Sequence, residues 1–300
     1  TVDGTELFSN KNATLDCGES GSTLRFFIPV AAVGGVNADF IGSGRLPQRP
    51  IGIFTDLLPK FGVDCETEGG LPLKISGTLQ SGTYKIPGNV SSQFITGLLF
   101  ALPLLDDDSD IVLTSPIESV GYINMTIYTM SKFGVEVEKT DFGWHIKGNQ
   151  NYKPCHYTTD GDWSQAAFFM VSGAINGSVT VNGVNRDSAQ GDRKIAELIS
   201  QFGAEVFQTD TSVSVKSRKM QAITIDASQI PDLVPVLAVC ASFAEGTTKI
   251  INAQRLRIKE SDRLKSTANL INNIGGNVKE LSDGLEITGA KQLSGGCADG

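Results

Sequence analysis

The densest group of charged side chains in the sequence lies at residues 255–263. These nine residues hold four cations and two carboxylates, Glu260 and Asp262. Apolar positions at helical spacing follow directly, which predicts a helix with Lys259 and Arg263 on one face of its first turn. Cations at a helix start oppose the helix dipole, and a bound phosphate or carboxylate would remove that conflict. The alternative is a solvated helix end in which Glu260 pairs with its neighbours.

Further candidates for anion binding lie where glycine and serine directly precede apolar helices. Gly21–Thr23, followed by Arg25, and Ser91–Gln93 have this pattern, and plain helix capping explains either one alone. The loop Gly44–Pro50 adds two arginines stiffened by two prolines, although a surface loop held by proline explains it equally well.

Asp232 is a lone carboxylate at the head of an otherwise apolar helix. Capping of that helix would account for it. The more specific hypothesis is that Asp232 acts as a general base in a cleft from which water is partly excluded.

Composition limits the partners that these residues can have. The 300 residues are 40% hydrophobic and 19% charged, with a net charge of −8, so no broad positive field exists for nucleic acid or an anionic membrane. Five scattered cysteines and two histidines show no metal-ligand spacing, which predicts free thiols and no metal site. No signal peptide and no apolar run of about 18 residues is present, so we expect a cytoplasmic protein.

The helices and strands that position these residues belong to an internal repeat, which occurs four times at intervals of roughly 70 residues. Each unit opens with a polar turn and continues with an apolar helix, a short strand, a polar loop and a second helix that leads into a strand pair. The first helices are predicted at Leu24–Val33, Phe94–Leu105, Ala166–Ile175 and Leu233–Phe243. Each second helix ends on a glycine expected to adopt a left-handed conformation, in Lys60–Asp64, Lys132–Glu136, Gln201–Glu205 and Asn273–Asn277.

A polar segment around residues 148–159 precedes the third unit and contains Pro154. We therefore predict two domains, residues 1–158 and 159–300, with two units in each. The first domain would also carry the tail of an earlier unit, and the last unit would be incomplete, so the sequence is interpreted as a fragment lacking parts at both termini.

Several of these segments, taken together and in order, resemble the 5-enolpyruvylshikimate-3-phosphate synthase family. The segments that carry the resemblance are Leu15–Arg25, Arg49–Pro50, Ser91–Phe94, Gly161–Asp162, Ile230–Asp232 and Arg257–Leu264. The resemblance implies a two-domain inside-out α/β barrel built from repeated βαβαββ units that closes on its substrates. It implies a cofactor-independent transferase that moves the enolpyruvyl group of phosphoenolpyruvate onto the 5-hydroxyl of shikimate 3-phosphate and releases phosphate, in the shikimate pathway of aromatic amino acid biosynthesis. We expect a monomer.

The resemblance also implies roles for single residues. Binding of shikimate 3-phosphate falls to Ser91, Ser92 and Gln93, with Ser119 and Tyr122 as looser matches. Contacts to phosphoenolpyruvate fall to Gly21, Arg49, Gln93 and Arg263, and Arg25 and Lys259 join the substrate-binding set. Asp232 would accept the proton of the 5-hydroxyl, and Glu260 would handle the proton at the methylene carbon. Two anions that repel each other need such cations in an enclosed site.

The sequence departs from the family at three points. Glu19 stands where the family usually has Asn, and the opening Lys-Ser and closing Asp-His-Arg motifs are absent. The chain as it stands is therefore predicted to be inactive.

Three alternatives stay open at this stage. The sister transferase acting on UDP-N-acetylglucosamine commonly carries a cysteine in the loop matching Arg45–Pro50, and none stands here. RNA 3′-phosphate cyclase uses a related repeat but fits an acidic chain poorly. A non-catalytic repeat scaffold that binds a small anion is the third.

Overall fold

The computed structural model describes residues 1–4, 6–290 and 292–297. The chain divides into two compact units. The first comprises Thr1–Glu118 with Ile123–Tyr157, and the second comprises Ser119–Tyr122 with Thr158–Gly300. Whether these units are the two lobes of the family's fold stays a prediction.

The first unit begins with one complete βαβαββ repeat. Its elements are β1 (Asn12–Asp16), α1 (Gly21–Val33), β2 (Asn37–Ile41), α2 (Gly52–Leu57), β3 (Val63–Glu66) and β4 (Leu73–Gly77). The sheet order is β1-β2-β4-β3, with β1 and β2 parallel and the other neighbours antiparallel. Short 3₁₀ turns, Leu46–Gln48 and Leu58–Phe61, flank α2.

The second repeat has the same order of elements. It consists of β5 (Thr83–Ile86), α3 (Ser92–Ala101), β6 (Ser109–Leu113), α4 (Val120–Lys132), β7 (Glu138–Thr140) and β8 (Gly143–Ile146), in the order β5-β6-β8-β7. Within the predicted Lys132–Glu136 signature, Val135 is not yet part of a strand, and β7 begins three residues later. The reason is that Val135 is buried and its amide donates to the carbonyl of Met130, so it still closes the end of α4.

The second unit contains two further repeats. The third repeat has α5 (Trp163–Ile175), β9 (Ser178–Asn182), α6 (Ile195–Phe202), β10 (Glu205–Gln208) and β11 (Ser212–Lys216), in a three-stranded antiparallel sheet. The fourth has β12 (Thr224–Asp226), α7 (Val234–Ala241), β13 (Thr247–Ile251), α8 (Arg263–Asn273), β14 (Asn277–Glu280) and β15 (Leu285–Thr288). Its order, β12-β13-β15-β14, again pairs the first two strands in parallel.

The four signature glycines end the second helix of each repeat as predicted. Gly62, Gly134, Gly203 and Gly275 have φ between 80° and 112°, the left-handed region in which a Cβ is unfavourable. The chain can therefore turn sharply from each helix into its hairpin, and the apolar faces of both elements join the buried core of their own unit. Within the described residues, no helix has both the length and the apolar content that crossing a membrane requires.

Candidate active site

In the first unit, the N-termini of α1 and α3 lie side by side. Ser20 caps α1 by accepting a hydrogen bond from the amide of Thr23, and Ser91 caps α3 by accepting one from the amide of Gln93. A Cβ on Gly97 would lie 2.2 Å from the carbonyl oxygen of Arg25, so glycine permits the close approach of the two helices. Free amides of both helix starts are thereby available in one region of this unit.

A buried guanidinium connects the two helix starts. Arg25 is 3% exposed, and its Nη1 donates to Oε1 of Gln93 at 2.6 Å while its Nη2 donates to the carbonyl of Pro50 at 3.0 Å. Gln93 in turn donates from Nε2 to Oγ of Ser22 at 2.8 Å. These bonds fix the amide of Gln93 with its oxygen toward the cation, and they place a full positive charge in a region of low dielectric.

A second buried guanidinium lies against the first turn of α1. Arg49 is 5% exposed, and a Cβ built on Gly21 would lie 2.6 Å from its Nη1 atom. Only glycine leaves room for the guanidinium at this distance. Of the predicted binding residues, the structure therefore brings together Gly21, Arg25, Arg49, Ser91, Ser92 and Gln93 within the first unit.

In the second unit, Asp232 lies in a 3₁₀ turn, Pro231–Leu233, just before α7. Its side chain caps neither the turn nor the helix, which removes the capping explanation. Oδ1 accepts a hydrogen bond from Nη1 of Arg263 at 2.6 Å, and Oδ2 accepts a short one from the hydroxyl of Tyr122. Arg263 also binds Oε2 of Glu260 at 2.8 Å, so one guanidinium holds both predicted catalytic carboxylates.

The electrostatics keep Asp232 ionised. Burial acts to raise its pKa, but the charge of Lys259 and the hydrogen bonds from Tyr122 and Arg263 outweigh burial, and the net pKa lies below the ordinary value. Burial lowers the pKa of Lys259, and the negative charge of Asp232 only partly opposes this effect. An ionised carboxylate between two cations can accept a proton from a bound hydroxyl.

The predicted placement of Lys259 on a helix face is wrong. α8 begins only at Arg263, and Lys259 follows a 3₁₀ turn, Gln254–Ile258, in an extended conformation. The helix begins later because Asp262 caps it by accepting from the amide of Lys265. The carboxylate of Asp262 also supplies the negative charge that the helix start favours.

The remaining arginines of this segment have separate structural contacts. Arg257 pairs with Asp262 at 2.8 Å and with Glu280 at 2.6 Å, whereas Glu260, for which the alternative predicts pairing with its neighbours, pairs with Arg263. Arg255 donates to Oγ of Ser119 at 2.5 Å and to the carbonyl of Ser228 at 2.6 Å. Ser119, with φ of 55°, is thus held at a fixed position in the second unit.

Sequence reasoning missed one residue of this group, Asp192. Its Oδ2 accepts from Oγ of Ser164 at 2.6 Å and lies 3.4 Å from the hydroxyl of Tyr122. In the sequence it is one of two aspartates, with Asp187, in a polar loop, Asn185–Arg193, and no spacing distinguishes it from a solvated side chain. Among the described residues, no cluster of three or more histidine, cysteine or acidic side chains is arranged to hold a metal ion.

Comparison with known proteins supplies the family. The sequence matches EPSP synthase (3-phosphoshikimate 1-carboxyvinyltransferase) over residues 1–299. A relative from Clostridium novyi (strain NT), named 3-phosphoshikimate 1-carboxyvinyltransferase, is 45% identical over 300 residues, which are 99% of this chain and 69% of the relative. One of the same name from Clostridium kluyveri is 46% identical over 298 residues, covering 99% of this chain and 70% of that protein.

Two solved structures of EPSP synthase from Acinetobacter baumannii have the same fold. Each superposes with a TM-score of 0.73 and covers 93% of this chain and 66% of its own, at 24% and 22% identity. The predicted α/β fold class is confirmed by these structures, and the predicted transferase class by the names of the relatives. The chain belongs to the EPSP synthase family.

Proposed function

We propose that the protein transfers the enolpyruvyl group of phosphoenolpyruvate to the 5-hydroxyl of shikimate 3-phosphate and releases phosphate. The observation that carries this proposal is the environment of Asp232, an ionised carboxylate bound by Arg263 and Tyr122 and stabilised by the charge of Lys259. A binding scaffold has no need of a half-buried base held by two cations. The names of the relatives supply the substrate class.

In the first unit, the buried cations would receive the anionic groups of the substrates. Gln93, oriented by Arg25, and the hydroxyls of Ser91 and Ser92 suit the phosphate and hydroxyls of shikimate 3-phosphate. Arg49, packed against Gly21, suits phosphoenolpyruvate, since a guanidinium fork binds a carboxylate or phosphate in two places.

In the second unit, two carboxylates would divide the proton transfers. The 5-oxygen attacks C2 of phosphoenolpyruvate while Asp232 takes its proton, and the methylene carbon receives a proton from Glu260, which forms a tetrahedral intermediate. Elimination then breaks the bond from carbon to the phosphate oxygen, the methyl proton returns to Glu260, and the leaving phosphate takes up the proton that was removed from the 5-hydroxyl, which restores the ionised form of Asp232. Arg263 and Lys259 would bind the anions, and Ser119, fixed by Arg255, would contact shikimate 3-phosphate.

The proposal is tested by phosphate release from the two substrates, measured with the complete gene product. Asp232→Asn and Lys259→Met should each lower turnover by about 10²–10⁴-fold, the range typical of a lost acid–base or charge-stabilising group. Asp210→Asn and Lys219→Met are matched controls on exposed ion pairs, with side chains 84% and 72% exposed. A scaffold predicts no turnover in any form, and unchanged turnover in both test variants would remove Asp232 and Lys259 from the mechanism.

We further propose that the protein works in the cytoplasm as a monomer, without a cofactor, nucleic acid or membrane partner. The net charge of −8 supports the absence of a nucleic-acid or membrane partner, because no broad cationic surface is available for a polyanion. The cysteines described as free, Cys17, Cys65, Cys155, Cys240 and Cys297, support a reducing compartment.

A further inference from the structure

Asp192 is a buried carboxylate in contact with the group that binds Asp232. It lies in a 3₁₀ turn, Gly191–Lys194, within the second unit and is 3% exposed. Oδ2 is bound by Ser164 and lies 3.4 Å from the hydroxyl of Tyr122, while Oδ1 has no hydrogen-bond partner within the described part of the chain. A buried carboxylate oxygen without a partner favours the protonated form of the group.

The charged groups around Asp192 add to this preference. Its sequence neighbours are cations, but Arg193 donates to the carbonyl of Arg186, and Lys194 pairs with Glu197 at 2.7 Å. The charges that act on Asp192 are the carboxylates of Asp162 and Asp232, which oppose its ionisation. Burial is the largest cause, and together these effects raise the pKa of Asp192 to about 6 although the hydrogen bonds from Ser164 and Tyr122 lower it.

The hydroxyl of Tyr122 contacts two carboxylates, Asp232, whose pKa is lowered, and Asp192, whose pKa is raised. Its hydroxyl carries a single hydrogen, yet it lies within reach of Oδ2 of Asp232 and Oδ2 of Asp192. Asp232 is bound by Arg263 and faces Lys259, and its pKa is lowered, so negative charge is favoured there and a proton is favoured on Asp192.

We propose that Asp192 is the terminal acceptor of a proton relay that runs from Asp232 through Tyr122. The relay rests on the proposed function, in which Asp232 removes the proton of the substrate hydroxyl. In the transfer, the O–H bond of protonated Asp232 breaks and one forms on the oxygen of Tyr122, while the original O–H bond of Tyr122 breaks and one forms on Asp192. The proton count of the three groups is unchanged, and the negative charge returns to Asp232, beside its cations. In this relay Asp192 is a positioning residue that acts through Tyr122.

The first test is a titration of the free 300-residue chain. Carboxyl-¹³C aspartate is followed by NMR from pH 4 to 8, with assignments from Asp192→Asn and Asp232→Asn. We expect Asp192 to titrate near pH 6 and its titration to shift the resonance of Asp232. In Tyr122→Phe that secondary shift should fall at least twofold. Full ionisation of Asp192 by pH 5, or a resonance of Asp232 that ignores Asp192, overturns the relay whether or not the protein is active.

The second test is the pH dependence of phosphate release by the complete gene product. Asparagine keeps the shape of Asp192 and accepts the hydrogen bond of Ser164, but it cannot take a proton. Asp192→Asn and Tyr122→Phe should each lower kcat by about tenfold or more, and in Asp192→Asn the KM for shikimate 3-phosphate should stay unchanged within about twofold. Asp192→Asn should also remove the fall in kcat that the wild type shows below about pH 6. The kcat of the double variant, Asp192→Asn with Tyr122→Phe, should be no lower than that of the worse single variant, because both substitutions interrupt the same relay.

Asp187→Asn is the matched control, because its side chain lies in the same loop and is 78% exposed. It should keep the wild-type kcat and pH profile. A wild-type profile in Asp192→Asn, or additive losses in the double variant, overturns the relay. Absence of phosphate release in the wild type refutes the proposed function instead, and the NMR titration then still decides on the relay.

Discussion

Replacement of Gly21 by alanine should weaken phosphoenolpyruvate binding without weakening the fold. The added Cβ would lie 2.6 Å from Nη1 and 2.8 Å from Cζ and Nη2 of Arg49. Since ordinary contacts begin near about 3.4 Å, the guanidinium must move by roughly 0.6–0.8 Å. A charge-assisted hydrogen bond contributes about 1.5–3 kcal/mol, so loss of one corresponds to a rise of about 10- to 100-fold in the KM for phosphoenolpyruvate.

Stability should change little, because the moving atoms are the far end of a flexible side chain and alanine favours the helix over glycine. The assay is the KM for each substrate by phosphate release in the complete gene product, together with thermal unfolding. Gly52→Ala is the matched control: Gly52 also begins a helix, and a Cβ there meets nothing within 4 Å. A Gly21→Ala protein with wild-type affinity for phosphoenolpyruvate would refute the assignment of Arg49. A Tm lowered by more than in Gly52→Ala would show that the clash acts on folding instead.

Three further predictions concern stability and affinity. Asp192 has a folded-state pKa of about 6, above about 3.9 in the unfolded chain, so the native state binds more protons in this window and the free energy of unfolding falls as pH rises through it. Asp192→Asn should therefore be more stable than wild type at pH 7.5, by up to about 3 kcal/mol, and equal to it below pH 4 in urea unfolding. Arg25→Met removes the guanidinium that donates to Oε1 of Gln93, and it should raise the KM for shikimate 3-phosphate at least about tenfold. A Gln93→Met variant with the wild-type KM for shikimate 3-phosphate would contradict the assignment of Gln93 to substrate binding. Ser20→Ala removes the cap of α1 and should cost about 1 kcal/mol in thermal unfolding, and an unchanged Tm would show that the cap contributes nothing.

The repeats were predictable because each uses local signals that tertiary packing does not override. The glycine signatures specify left-handed caps through backbone sterics alone, and all four adopt them. The start of α8 is also set by a local signal, but not by the one used in the prediction. Spacing placed Lys259 in the first turn, whereas the capping carboxylate of Asp262 fixes the start of the helix after residue 262.

The contacts of the candidate site were only partly predictable. Arg25, Arg49 and Asp232 stood out because charged residues beside apolar helices need a reason to be there. Asp192 did not, because its burial depends on packing between α5, the loop before α6 and Tyr122, and these are separated by 28 to 70 residues in sequence. Which side chain meets which across such separations is decided by the fold and not by local pattern.

In the proposed function, Asp232 and its cations serve enolpyruvyl transfer to shikimate 3-phosphate. The most direct measurement is phosphate release from phosphoenolpyruvate by the complete gene product, with shikimate 3-phosphate in one series and UDP-N-acetylglucosamine in a parallel one. We expect stoichiometric phosphate release with shikimate 3-phosphate, loss of that release in Asp232→Asn, and no release with the nucleotide sugar. Phosphate release with the nucleotide sugar alone, or with neither acceptor, would contradict the proposed function.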